Sequence, residues 1–193
     1  MTTLTATAYV SLDGVVQAPG TPSEDPRDGF DLGGWLYPYH DAVMAEYTAD
    51  WFSRADAFLL GRRTYEIFAG RWPSVGGSDP IAGPLNSLPK YVASRTLTRS
   101  SWQGTVFLRG DVATAVAELK AEPGRELQVH GSGELLRTLT AAGLVDEYRL
   151  WVLPVVLGRG HRLFPPGTPA RTLWLAEHRV TGKGVSVQVY RTV

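Results

Sequence analysis

Residues 59–66 read Leu59-Leu60-Gly61-Arg62-Arg63-Thr64-Tyr65-Glu66, an apolar strand end, one glycine, and a helix opening on two arginines and a threonine. Residues 129–136, Val129-His130-Gly131-Ser132-Gly133-Glu134-Leu135-Leu136, repeat the plan. A strand that passes through a glycine turn into a helix is the half-unit of a parallel sheet. Working outward, strands are expected over 4–12, 56–60, 90–94, 105–108, 127–130 and 147–156, with a terminal hairpin of 173–181 and 185–191 across Gly182-Lys183-Gly184. Helices are expected over 40–55, where Val43, Met44, Tyr47, Trp51 and Phe52 recur at helical spacing, and over 62–69, 111–120 and 134–142. The fold class is therefore α/β: a central, mostly parallel sheet with antiparallel C-terminal strands and helices on both faces. Long Gly/Pro-rich loops at 17–34 and 70–87 separate these elements, and long loops in compact domains are often functional. No linker or repeat divides residues 1–193, so one domain is expected.

Composition excludes several classes. Lys+Arg and Asp+Glu are both 19, so the basic excess of a general nucleic-acid binder is missing. There is no cysteine, which rules out disulfides, thiolate metal sites and a Cys-ligated zinc deaminase centre. His40, His130, His161 and His178 are scattered without metal-ligand spacing, so no metal is expected. The start of the chain has no basic segment followed by an apolar run, and no stretch approaches the roughly 20 apolar residues of a membrane span. A cytoplasmic protein without a nucleic-acid or membrane partner is the expectation.

The two junctions carry the chemistry. Helix N-termini present unpaired amides and partial positive charge and so attract phosphates. Arg62 and Arg63 oppose the helix dipole where they stand, which asks for a reason. Either they hold an anion, such as the extra 2′-phosphate that separates NADPH from NADH, or they are solvated surface residues with Thr64 as a plain cap. Gly131-Ser132-Gly133 lets backbone approach a pyrophosphate, or is merely a tight turn. Leu136 breaks the Gly-x-Gly-x-x-Gly dinucleotide fingerprint. Both junctions lie at carboxyl ends of strands, where open α/β sheets bind ligands, and together they fit one elongated dinucleotide.

Gly61-Arg62-Arg63-Thr64-Tyr65-Glu66 resembles the Gly-Arg-x-Thr-aromatic-Glu segment of dihydrofolate reductase. Gly131-Ser132-Gly133-Glu134 is similar to its second cofactor loop, and Gly160-His161-Arg162-Leu163-Phe164-Pro165 to a late Gly-x-x-x-Phe-Pro segment. A closer resemblance, over nearly the whole chain, is to the reductase domain of riboflavin biosynthesis, the RibD C-terminal type. It is carried by Ser11-Leu12-Asp13-Gly14, Lys90-Tyr91-Val92-Ala93-Ser94-Arg95, Gly143-Leu144-Val145-Asp146-Glu147 and residues 154–160, Pro-Val-Val-Leu-Gly-Arg-Gly. The resemblance implies a dihydrofolate reductase-like fold, NADPH in an extended groove, and a homodimer. It implies that Gly61, Arg62, Arg63 and Thr64 hold cofactor phosphates. Ser94 and Arg95 would lie near the adenosine 2′-phosphate, and Gly131, Ser132, Gly133 and Glu134 against the pyrophosphate. The deaminase domain that usually precedes this reductase in the bifunctional deaminase-reductase family is absent from these residues.

For catalysis, Asp13 stands at the end of the first strand beside the long loop, either as a proton-relaying carboxylate or as a turn residue before Gly14. Glu46 is the second candidate, with a solvated helix face as its alternative; Asp41 and Asp50 share that helix. Trp35 and Tyr37 would stack on a flat heterocycle or pack the loop onto the core. Arg159, Arg162 and Lys90 are available to a substrate phosphate. The expected activity is NADPH-dependent reduction of the 5-amino-6-(5-phosphoribosylamino)uracil type or of a related small heterocycle. The alternatives are pterin reduction of the dihydrofolate type and a non-catalytic nucleotide- or flavin-binding module.

Overall fold

The computed structural model describes residues Met1–Val193. Eight strands form one sheet: β1 (Thr3–Ser11), β2 (Ala55–Gly61), β3 (Lys90–Ala93), β4 (Thr105–Leu108), β5 (Glu126–His130), β6 (Glu147–Leu153), β7 (Leu173–Val180) and β8 (Ser186–Thr192). Their order across the sheet is β4-β3-β2-β5-β1-β6-β8-β7. The pairings from β4 to β6 are all parallel. β8 runs antiparallel to β6 and to β7, so of the expected terminal hairpin only β8 opposes the rest. β1 is central and receives β5 on one side and β6 on the other.

Five helices flank the sheet: α1 (Ala42–Ser53), α2 (Arg62–Ala69), α3 (Ala82–Ser87), α4 (Val112–Ala121) and α5 (Gly133–Ala141). Alternation along β1 separates the two faces. Leu4, Ala6, Ala8 and Val10 pack with Val116 of α4 and Leu135, Leu136 and Leu139 of α5. Thr5, Thr7 and Tyr9 point the other way. On that face Met44 and Trp51 of α1 meet Trp151, Leu153 and the β8 valines. Further along it, Phe58 and Leu60 of β2 pack with Tyr65, Leu85, Val92 and Trp102.

Two elements differ from expectation. The helix expected over 40–55 is shorter, because Asp41 caps it by accepting the Met44 amide at 3.0 Å. The 70–87 segment is not all loop. Gly83 and Pro84 mask a short helix, which forms because Pro84 sits in the first turn and Asp79 accepts the Ile81 and Ala82 amides at 2.8 Å.

Candidate active site

The carboxyl ends of β1 to β5 open into one groove of about 1750 Å³. β2 and β5 are neighbours in the sheet, so the starts of α2 and α5 lie side by side at its centre. Ser132 joins them. Its Oγ accepts the Gly61 amide at 2.9 Å and shares a hydrogen bond with Thr64 Oγ1 at 2.6 Å. This contact sets the residue at position 61: a Cβ there would lie 2.6 Å from Ser132 Oγ, which only glycine avoids. Gly131 and Ser132 both adopt left-handed backbone, at φ 68° and 62°. For serine that conformation is uncommon.

Neither helix start is covered. The α2 cap is Gly61 and the α5 cap is Ser132, and neither makes a side-chain cap bond. α1 and α4, by contrast, are capped by Asp41 and Asp111. The unpaired first-turn amides of α2 and α5 therefore face the groove as anion donors. Arg62, Arg63, Arg95 and Arg109 surround them. Ser94 also lines the groove, and its Oγ accepts the Thr96 and Leu97 amides, tightening the turn that presents Arg95.

A latch crosses this region. Asp25, in the long loop after β1, accepts Arg63 at 2.7 Å and Arg27 at 2.6 Å. The Arg27 hydrogen bond is the main reason the Asp25 carboxyl is held below its ordinary range. Arg63 thus already holds an anion, a carboxylate of its own chain.

The structure brings together Gly61, Arg62, Arg63, Thr64, Ser94, Arg95, Gly131, Ser132, Gly133 and Glu134 along the groove. It does not bring the two expected catalytic carboxylates there. Asp13 accepts the Ser11 hydroxyl at 2.7 Å and the Leu157 and Gly158 amides at 3.0 and 2.8 Å. These bonds, the Ser11 hydroxyl first, hold it down to about 2, so it stays ionised as a clasp between two loops. Glu46 is exposed on α1, whose groove-lining residues are Thr48, Trp51 and Phe52. Helical spacing turns its carboxylate away from them.

The expected substrate residues also fall elsewhere. Trp35 is buried among core residues and its indole donates to the Gln17 carbonyl at 2.8 Å. Arg159 pairs with Asp31 on the surface. Lys90 is fully buried, donating to the Leu85 and Leu88 carbonyls at 2.7 Å, and burial pushes it down to about 8. Arg162 does line the groove, with Tyr37.

The groove contains residues that the sequence reading passed over: Thr7, Tyr9, Thr48 and Arg109. Thr7 and Tyr9 share one face of β1, and Arg109 follows β4, so strand parity and strand ends would have found all but Thr48. Thr7 Oγ1 is buried without a hydrogen-bond partner. His130 is buried against Phe52, 4.4 Å between ring centroids, with Nε2 3.0 Å from Gln128 Oε1. Burial, with the Arg149 charge behind it, pushes His130 down to about 3, so it is neutral. No group of three or more His, Asp or Glu residues is placed to hold a metal ion. No helix is long and apolar enough to cross a membrane.

A mostly parallel sheet with two uncapped helix starts on one groove defines an α/β domain built to take an elongated anionic ligand. Within it, residues 2–187 match the RibD C-terminal domain, and the chain belongs to that family. It is 32% identical over 146 residues to the uncharacterized protein YyaP of Bacillus subtilis (strain 168), covering 73% of this chain and 76% of that one. It is 27% identical over 157 residues to YwjB of the same organism, covering 81% and 85%. A putative riboflavin biosynthesis protein from Shewanella sp. PV-4 has the same fold, with TM-score 0.74, 21% identity and 99% of each chain covered. So does a pyrimidine reductase-like protein from Corynebacterium diphtheriae, with TM-score 0.64, 14% identity, and 99% and 92% covered.

Proposed function

We propose that this protein is an NADPH-dependent reductase of a small, flat heterocycle, nearer to the pyrimidine-reductase type than to the pterin type. The observation that carries the reading is the pair of uncapped helix starts, α2 and α5, tied by Ser132 and opening on one groove. Two helix N-termini side by side suit a pyrophosphate. Arg62, Arg95 and Arg109 suit the further phosphate of NADPH. The residues present fit the cofactor: the first turns of α2 and α5 carry no side-chain cap, and Gly61 lets Ser132 draw the two helix starts together.

When bound, the cofactor supplies a hydride. The chain holds its phosphates, walls the groove with the loop carrying Glu24 and Asp25, and presents the substrate from β1 and α1. α1 offers hydroxyl and aromatic groups to the groove and no carboxylate, the group best suited to pair with and protonate a pterin ring, which weighs against the pterin type. The aminouracil type of the riboflavin enzyme or a related heterocycle is left. Titration of the protein with NADPH, followed by energy transfer from tryptophan to the nicotinamide, tests the reading. Saturable transfer in the micromolar range supports it, and a flat response overturns it.

We further infer a homodimer, supported by the exposed Trp174 and Leu175 on edge strand β7. Light scattering at micromolar concentration gives twice the chain mass if this holds and the single-chain mass if it does not.

A further inference from the structure

The groove has two chemically different halves. Arginines line the half beside α2, β3 and β4: Arg62, Arg63, Arg71, Arg95 and Arg109. The other half is walled by Tyr9 of β1, Trp151 of β6, and Thr48, Trp51 and Phe52 of α1. Tyr9 and Trp151 lie stacked, 6.2 Å between centroids, and Trp151 packs on Trp51 at 5.0 Å. Leu36, Tyr37 and His40 complete this wall, and none of these side chains is an arginine, a lysine or a carboxylate. The charge that does face it is negative. Glu24, held by the Gly20 and Thr21 amides at 2.5 and 3.1 Å, lies where its carboxylate acts on the Tyr9 phenol. Burial, reinforced by that carboxylate, pushes Tyr9 up to about 12, so it remains a neutral hydrogen-bond donor.

We propose that this half of the groove takes an uncharged, planar heteroaromatic ring bearing no phosphate, stacked on the aromatic wall and hydrogen-bonded by Tyr9, Thr7 and Thr48. This rests on the reductase reading of the same groove and names its substrate class. A phosphate placed here would lose its hydration against the aromatic wall and face Glu24, and of the two loop arginines that also line the groove, Arg27 and Arg162, the first is already paired with Asp25. A neutral ring loses little on transfer and gains stacking. Thr7 Oγ1 is buried without a partner on the same face of β1 as Tyr9, so a ring carbonyl or ring N–H would satisfy it. Thr48 already donates to the Met44 carbonyl at 2.7 Å, which leaves its oxygen as an acceptor within reach of the Tyr9 phenol and of the ring. The class departs from the phosphoribosylated aminouracil of the riboflavin enzyme.

Riboflavin and FMN test this, because they share one ring and differ by one phosphate. Both are titrated by flavin-fluorescence quenching into the protein, with and without saturating NADP+. Riboflavin is expected to bind at least about tenfold more tightly than FMN. Tyr9→Phe should weaken riboflavin about fivefold while leaving NADP+ affinity and Tm unchanged, and Glu24→Gln should narrow the gap by strengthening FMN. Equal or tighter binding of FMN overturns the proposal, as does failure of both flavins to bind. Failure of NADP+ alone to bind strikes the reductase reading, and the flavin comparison on the free protein still decides this one.

Discussion

The Ser132 hydroxyl lies 2.6 Å from the Thr64 hydroxyl, and the same oxygen takes the Gly61 amide at 2.9 Å. The starts of α5 and α2 are thereby one unit, and a change at any of the three residues is felt by both helix ends. Gly61→Ala would drive a methyl to 2.6 Å from Ser132 Oγ. The expected cost is about 1–3 kcal/mol of stability from overpacking, read as a lower urea midpoint, together with loss of NADPH affinity. Retained affinity at unchanged stability would show that the junction has slack.

Arg63 is held by Asp25, which on the proposed reading competes with the cofactor for it. Asp25→Asn removes the competing charge, so NADPH binding should tighten by about threefold, worth roughly 0.7 kcal/mol. The loop over 17–34, losing its tie to α2, should be cleaved faster by protease in the free protein. Weaker NADPH binding in Asp25→Asn would mean that the carboxylate positions Arg63 and does not oppose the phosphate.

The pH dependence of stability follows from His130. Its folded pKa is near 3 and its ordinary value is 6.5, so between these values the unfolded chain binds a proton that the folded one does not. Stability is therefore complete above about pH 6.5 and falls as pH drops toward 3, with a limiting slope of about 1.4 kcal/mol per pH unit. His130→Gln should flatten the urea midpoint against pH between 4 and 6.

Asp13 and Glu46 separate structural from idle carboxylates. Asp13→Ala leaves the Leu157 and Gly158 amides without their acceptor and should cost about 1–3 kcal/mol. Glu46→Gln, on the exposed side of α1, should leave Tm within about 1 °C and NADPH affinity unchanged.

The parallel sheet and the arginine-lined half of the groove are legible because both are written locally. Strand, glycine and helix start fall within eight consecutive residues at Leu59–Glu66 and again at Val129–Leu136. The substrate half is assembled from Tyr9, Thr48 and Trp151, which come from three separate elements. No local pattern marks Thr48 as facing β1, since Glu46 two residues earlier has the more suggestive chemistry and the wrong direction. Trp35 and Arg159 misled for a related reason. An aromatic or an arginine in a long loop reads the same whether it meets a ligand, the core, as Trp35 does, or a surface carboxylate, as Arg159 does. The helix of Ala82–Ser87 was hidden by Gly83 and Pro84, whose breaker signal is weak in a first turn.

On the proposed reading, the arginine-lined half of the groove holds NADPH by its phosphates. Calorimetric titration of the wild-type protein with NADPH and with NADH, beside Arg62→Ala and Arg95→Ala, tests it most directly. NADPH is expected to bind at least about tenfold tighter than NADH, with that preference reduced in either variant while NADH affinity stays level. Binding of neither nucleotide, or equal binding of both in all three proteins, would contradict it.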